Sequence, residues 1–285
     1  MRSANRAPMR IAAAATALLL LVSAAGCQTS RPPLGGSDPS ETARQEARQT
    51  FAEAWLVKPV EASNEGGLPG LFAPLLVLET DSARGRPPNP PRVLWVEEQS
   101  LPIHQRPWPQ LIYFWQSPGP RSREGAGRPA TVWLAFRILL GTRGQPVLWE
   151  LPGTEDQPSR LFVARHWEEA ARQSFGPATP PRHFAAESDM PLSSPPRAVV
   201  VETFDDAPMP MGPIVHVSHQ NRITALICRC SPVRVQRLSG QAWYELQPAS
   251  ASPRAAATGS ASSPPHLRWL TPDELEARLR WLPEL

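Results

Sequence analysis

The chain is short of lysine: of its 29 basic residues only Lys58 is a lysine, and the others are arginines. The basic excess over 26 acidic residues is carried by Arg2, Arg6 and Arg10, and no acidic residue precedes Cys27. From Cys27 onward the chain therefore has 29 − 3 = 26 basic and 26 acidic side chains. A net charge of zero argues against the basic surface on which nucleic-acid binding depends, so we predict no nucleic-acid partner.

The sequence also lacks the short motifs of familiar enzyme classes. It contains no G-x-S-x-G elbow, no Walker loop, no H-E-x-x-H helix and no G-x-G-x-x-G turn. His166 and Glu169 are spaced to share one face of a predicted helix, but such a pair is usually a solvated surface pair. The adjacent carboxylates at 97–98 and 205–206 point to opposite sides of an extended chain. We therefore predict no catalytic residues and no cofactor.

No apolar run is as long as the roughly 20 residues needed to cross a bilayer as a helix. The longest, residues 11–25, has fifteen, seven of them alanine. It follows three arginines and ends in Ala24-Ala25-Gly26-Cys27-Gln28. A basic segment, a short apolar segment and small residues before a cleavage point are typical of a secretory signal.

The placement of Cys27 directly after two small residues indicates which kind of signal this is. The segment resembles the lipobox of bacterial lipoprotein precursors, although Ala24 stands where leucine is most usual. The resemblance implies that the Cys27 sulfur is diacylated and that the chain is then cut before it. In bacterial lipoproteins, an aspartate directly after the cysteine favours retention in the inner membrane. Gln28 stands at that position here, so the resemblance implies the periplasmic face of the outer membrane. Plain secretion and an uncleaved membrane anchor are the alternatives.

Cysteines are few: if Cys27 carries lipid, only Cys228 and Cys230 remain. In a strand, residues two apart lie about 6.6 Å apart on one face, near the upper limit for a disulfide. A predicted hairpin turning at 220–221 places Met211 opposite Cys230. The three sulfurs are therefore candidates for a Cu(I) site, beside the alternatives of a disulfide and of plain packing. Packing is the preferred interpretation, with no metal bound.

Prolines are numerous, 36 in all, and collect in runs that divide the chain into short segments. Alternating apolar residues predict strands, and i, i+4 spacing predicts helices. We predict an α+β fold, a mainly antiparallel sheet of short strands with an N-terminal helix, one internal helix and a C-terminal helix. The predicted helices cover residues 39–56, 166–175 and a stretch from 272. The predicted strands cover residues 75–80, 93–98, 111–116, 131–140, 146–151, 161–164, 198–204, 213–218, 222–230, 233–238 and 242–246.

Composition also predicts the domain organisation. A signal peptide (1–26) precedes a tether (27–38) and a single α+β domain (39–248). A disordered Ala/Ser/Pro linker (249–265), with few apolar residues to offset the cost of ordering, leads to a C-terminal helical segment (266–285). We expect proteolysis in the linker to leave a folded core that ends near Leu246.

For function, the first hypothesis is a lipid-anchored envelope protein with a non-catalytic binding or structural role. Its partners would be the membrane, through the lipid, and an envelope protein or the cell wall. The alternatives are an envelope hydrolase with dispersed active-site residues and a Cu(I) or redox protein that uses Cys228 and Cys230. Ten tryptophans raise sugar binding as a further idea. Those at 95, 115, 133 and 149 lie within predicted strands, where core packing is the ordinary explanation.

Overall fold

The computed structural model describes part of the chain, all of it within one compact unit, Ser37–Leu285. The described residues are 54–60, 67–80, 89–103, 105–119, 131–188, 190, 196–205, 212–227, 241–253, 255 and 267–279.

The described strands form a single eleven-stranded sheet. In chain order they are β1 (Ala54–Pro59), β2 (Leu75–Glu79), β3 (Val93–Ile103), β4 (Arg106–Pro118), β5 (Thr131–Leu140), β6 (Pro146–Leu151), β7 (Ser159–Ala164), β8 (Ala198–Phe204), β9 (Ile214–Val217), β10 (Ile223–Ile227) and β11 (Gln241–Pro248). Across the sheet the order is β10-β9-β2-β1-β11-β3-β4-β5-β6-β7-β8.

The predicted fold class is wrong, because the sheet is mixed and helix is a minor component of the described chain. Four of the ten strand pairings are parallel: β1 with β11, β11 with β3, β2 with β9, and β7 with β8. The helices are α1 (Gly67–Leu71), α2 (Arg165–Phe175) and α3 (Pro272–Leu279), with 3-10 turns at Ala185–Glu187 and Ala249–Ala251. No helix among these residues is long and apolar enough to cross a bilayer.

The predicted N-terminal helix is corrected where it meets the described chain. Its last residues, 54–56, belong to β1, which pairs with β2 on one side and β11 on the other. Sheet pairing on both sides satisfies the backbone hydrogen-bonding groups of β1, so tertiary structure overrides the local helical spacing. Residues 39–53 lie outside the described residues.

The sheet curls around its inner face. One apolar cluster joins Val199 of β8, Leu226 of β10 and Trp115 of β4, although these strands are far apart in the sheet order. Arg160 of β7 reaches across to donate hydrogen bonds to the carbonyl oxygens of Ile223 and Thr224 in β10. At one end of the same cluster α1 contributes Leu68, and Phe72 follows the helix. Side chains therefore fill the interior of the curled sheet.

The outer face carries the remaining described helices and the C-terminal segment. Trp167 and Ala171 of α2 form one apolar cluster with Leu275 and Leu279 of α3. This cluster packs against outward-facing residues of the strands β3 to β8. A smaller cluster on β3, β4 and β5, which includes Trp95 and Phe114, is joined by Ala249, Leu267 and Trp269. Residues 267–279 are thus packed onto the sheet. Of the predicted linker, only 249–253 and 255 are described, and Ala249 and Ser252 are buried.

Candidate functional site

The residues singled out for lipid attachment and metal binding, Cys27, Met211, Cys228 and Cys230, lie outside the described residues. Their roles stay predictions. Within the described ranges, no group of three or more His, Cys, Asp or Glu side chains is placed to hold a metal ion.

The β9–β10 hairpin, which precedes Cys228 and Cys230 in the sequence, has the predicted strand register over most of its length. In β9 and β10, Ala225 pairs with His216 and Ile227 with Ile214, as the predicted register requires. A bulge between Ile223 and Ala225 shifts the pairing at the turn, where Asn221 takes a positive φ of 57°. Asn221 also anchors the turn to β4, accepting a hydrogen bond from Ser117 (2.5 Å) and donating one to the Pro118 carbonyl (2.5 Å).

The other predicted charged residues do not converge on a common site in the described chain. On α2, His166 is half-buried and Glu169 is exposed. Asp205 forms a surface ion pair with Arg165, and Glu97 accepts a hydrogen bond from Gln99. Asp205, Glu97 and the α2 pair therefore lie on separate elements, and Asp205 and Glu97 contact nearby side chains.

A row of hydrogen-bonded polar side chains crosses the outer face of β3, β4, β5 and β6. Gln110 donates to Gln99, and Arg137 donates through Nη1 to Gln110 Oε1 (3.3 Å) and through Nη2 to Glu150. Gln99 is exposed, whereas Gln110, Arg137 and Glu150 are buried. The row separates the apolar cluster under α2 and α3 from the one under Trp269.

The buried end of this row binds the main chain of the C-terminal segment. Glu150 Oε1 accepts a hydrogen bond from the Leu270 amide (2.8 Å), and Arg137 Nη2 donates to the Leu270 carbonyl (3.1 Å). The Arg137 guanidinium also lies 5.3 Å from the centroid of the Trp269 ring, within range of a cation–π interaction. We call Arg137, Glu150 and the Leu270 main chain the buried clamp.

Ser159 supports the clamp from β7. Its hydroxyl accepts a hydrogen bond from the Gly153 amide (3.1 Å) and donates one to the Arg268 carbonyl (3.1 Å). Gly153 and Arg268 also form a two-residue antiparallel bridge. The C-terminal segment is therefore held by main-chain hydrogen bonds at both residue 268 and residue 270.

Burial raises the pKa of the Glu150 carboxyl, and the Arg137 charge, the Leu270 amide and Ser159 oppose this shift without cancelling it. A raised pKa in a buried carboxyl is often a sign of catalysis. Here the Leu270 main chain and the Trp269 ring occupy the space next to the pair. A substrate would have to displace the C-terminal segment to reach Glu150, so the geometry fits a structural clamp better than a reactive site.

Two further buried carboxylates hold turns in the same way. Glu168 of α2 accepts hydrogen bonds from the amides of Ala185 (2.9 Å) and Ala186 (3.0 Å). Glu187 accepts hydrogen bonds from the amides of His183 and Phe184, and from that of Val200 (3.1 Å) in β8. β8 is at the edge of the described sheet, where its outward-facing amides have no neighbouring strand as a hydrogen-bond partner. Glu187 supplies an acceptor for one of them, the Val200 amide.

In the described part of the chain, His219 and Glu79 form a histidine–carboxylate pair at the surface. His219 Nδ1 lies 3.0 Å from Glu79 Oε2, and the same oxygen accepts a hydrogen bond from the His219 amide (3.0 Å). The His219 side chain is 44% exposed on the β9–β10 turn. This pair ties the turn to the end of β2.

Sequence reasoning missed the exposure of Trp243. Trp115 and Trp149 are buried and Trp133 is partly buried, but Trp243 of β11 is 57% exposed. Ala242, Tyr244 and Leu246 of the same strand face the interior cluster, so Trp243, Glu245 and Gln247 face outward. That alternation is visible in the sequence and could have identified Trp243 as a surface tryptophan.

No protein-family model, no curated protein and no solved structure matches this chain. Functional assignment therefore depends on the residues themselves.

Proposed function

We propose that the protein is a cell-envelope lipoprotein, anchored through lipid on Cys27 at the periplasmic face of the outer membrane, with a non-catalytic binding or structural role. The location rests on the basic segment, the apolar run and the Ala-Gly-Cys boundary at residues 25–27. The lipid supplies membrane attachment, and the folded part supplies the contact surface.

A single observation carries the proposed role. The buried carboxylates Glu150, Glu168 and Glu187 each bind main-chain amides of a turn or of the C-terminal segment. Buried carboxylates serve as general acids and bases in many active sites, and here these three stabilise the fold through their hydrogen bonds to main-chain amides. The interior of the curled sheet is filled by apolar side chains. This supports a binding or structural role in which a partner contacts the outer surface. A His–carboxylate pair in a cleft would favour the hydrolase alternative, whereas His219 and Glu79, in the described part of the chain, meet on an exposed turn.

Acyl labelling tests the location. In cells fed a labelled fatty acid, the wild-type protein should become labelled and fractionate with the outer membrane. Cys27→Ser should abolish both, because no sulfur remains at the cleavage boundary. Cys228→Ser is the matched control and should keep the label. Labelling that persists in Cys27→Ser would refute the anchor.

A further inference from the structure

Trp243 lies on a part of the outer face that the C-terminal segment leaves open. In the parallel pair of β1 and β11, Trp243 is the direct partner of Lys58. Farther along β11, Gln247 pairs with Trp95, which belongs to the cluster joined by Leu267 and Trp269. The cover formed by that cluster does not extend to Trp243, which remains 57% exposed.

Polar side chains follow Trp243 along its face of β11, bordered by Val93 of β3 beside Glu245 and by buried Leu56 of β1 two residues before Lys58. Glu245 and Gln247 follow on the same face of β11, and the Gln247 Nε2 donates a hydrogen bond to Glu245 Oε2 (3.2 Å). From Trp243 to Gln247 the strand advances about 13 Å, at about 3.3 Å per residue. Lys58 stands one strand away from Trp243, about 4.8 Å in the hydrogen-bonding direction. We call Lys58, Trp243, Glu245 and Gln247 the Trp243 strip.

The chemistry of the strip distinguishes among ligands. A lipid surface favours an exposed tryptophan beside a lysine, but it would bury the Glu245 carboxylate next to the indole with only the neutral Gln247 amide as its hydrogen-bond partner, which is costly. A sugar ring presents C–H groups on its face and hydroxyl groups on its edge. The indole face can pack against the C–H groups, while carboxylate, amide and ammonium groups bind the hydroxyls. The strip provides all of these groups on one face of two adjacent strands, β1 and β11.

We propose that the Trp243 strip binds a glycan, with the Trp243 indole packed against one sugar ring and Glu245, Gln247 and Lys58 hydrogen-bonded to hydroxyl or amide groups of that ring and its neighbour. This inference rests on the proposed envelope location, where the glycan strands of the cell wall are the abundant polymer of this chemistry. It identifies the class of ligand for the binding role proposed above.

Two probes test the inference with the full-length mature protein in detergent. The first is cosedimentation with purified peptidoglycan, and the second is titration with soluble N-acetylglucosamine oligomers, followed by tryptophan fluorescence. The wild-type protein should bind both. Trp243→Ala should weaken oligomer binding at least tenfold, and Trp243→Tyr should keep most of it because an aromatic face remains. Glu245→Gln should weaken it severalfold.

Phe175→Ala is the matched control, because Phe175 is also a large exposed apolar side chain (40%) but lies on α2. It should leave glycan binding unchanged. The inference is overturned if the wild-type protein binds neither probe, or if Phe175→Ala weakens binding as much as Trp243→Ala does. It is also overturned if Trp243→Ala leaves glycan binding unchanged and weakens binding only to phospholipid vesicles or to an envelope protein. Acylation of Cys27 is measured separately, so failure of the anchor and failure of glycan binding are distinguishable.

Discussion

Arg137 and Glu150 are direct partners across β5 and β6, and both side chains are buried beneath the C-terminal segment. Their ion pair is the point at which the sheet binds the Leu270 main chain. The two residues are thirteen positions apart in the sequence. The main chain to which both side chains hydrogen-bond belongs to Leu270, which is far from either of them in the sequence. The pair therefore joins a local hairpin to the end of the described chain.

Removal of one partner of this pair should be strongly destabilising. Glu150→Ala leaves the Arg137 charge buried without its counter-ion, and Arg137→Ala does the same to the carboxylate. Breaking a buried pair in this way typically costs about 3–5 kcal/mol. Urea denaturation measured by tryptophan fluorescence gives the change in the free energy of unfolding. A cost below about 1 kcal/mol for either variant, the range of exposed pairs, would contradict the buried clamp.

Replacing both partners together should cost less than replacing either one. In Arg137→Met with Glu150→Leu, no charge remains in the buried site, and the new side chains pack against the neighbouring apolar clusters. Part of the loss persists because the Leu270 amide no longer has its acceptor. A double-mutant cycle of Arg137→Met, Glu150→Leu and the double variant measures the coupling. Additive costs in the cycle would show that the two side chains do not act as a pair.

The raised pKa of Glu150 predicts a pH dependence of stability. The folded protein holds the carboxyl proton more tightly than the unfolded chain, whose glutamate pKa is about 4.3. This contribution to stability is complete below the unfolded pKa and is lost as the pH rises through the raised folded pKa. Across that window, the free energy of unfolding of the wild type should therefore fall relative to that of the Arg137→Met, Glu150→Leu variant. Parallel pH profiles for the two proteins would refute the shift.

The C-terminal helix should contribute to stability like any other part of the core. Leu275 and Leu279 are fully buried, so replacing either with alanine should cost about 2–5 kcal/mol. Leu71→Ala is the matched control, because Leu71 is 42% exposed and should change stability by less than about 0.5 kcal/mol. If Leu275→Ala lowered the free energy of unfolding in urea by no more than this control, residues 267–279 would not be part of the folded unit.

Local patterns predicted the strands well where alternation was uninterrupted. The predicted bounds of β5, β6 and β8 agree with the structure, and the predicted internal helix differs from α2 by one residue. The extents of β3 and β4 were underestimated because their outer halves contain prolines. In the structure Pro102 faces Pro107 across this hairpin. An antiparallel pair that exchanges no hydrogen bonds tolerates residues without an amide proton.

The parallel pairings and the buried clamp could not be predicted from local patterns. β1 pairs with β11, and their partners Lys58 and Trp243 are far apart in the sequence. Likewise, nothing near Arg137 or Glu150 in the sequence indicates that the Leu270 main chain completes the site. Both features arise from contacts between distant segments, which hydrophobic periodicity does not encode. The exposure of Trp243 was predictable in principle, since its strand neighbours alternate.

Cys228 and Cys230 remain to be tested chemically. If they are packing residues, replacing both with alanine should lower stability by roughly 1–3 kcal/mol without changing metal content. If they bind Cu(I), the same variant should lose copper, and Met211→Leu should weaken its retention. Elemental analysis of the purified wild-type protein after copper loading distinguishes these outcomes. A stoichiometric metal would overturn the packing interpretation.

Gly212 should tolerate no larger side chain, because the backbone of another segment lies against it. A Cβ atom at this position would be 2.1 Å from the Phe72 carbonyl oxygen and 2.5 Å from its carbon. These are main-chain atoms next to the entry to β2, so relief of the clash must move the backbone. Gly212→Ala should therefore destabilise the protein by about 1–3 kcal/mol or more in urea denaturation. Gly144→Asn is the control: Gly144 has a φ of +78° in open space, which asparagine tolerates. Equal stability of the two variants would show that Phe72 does not pack against residue 212.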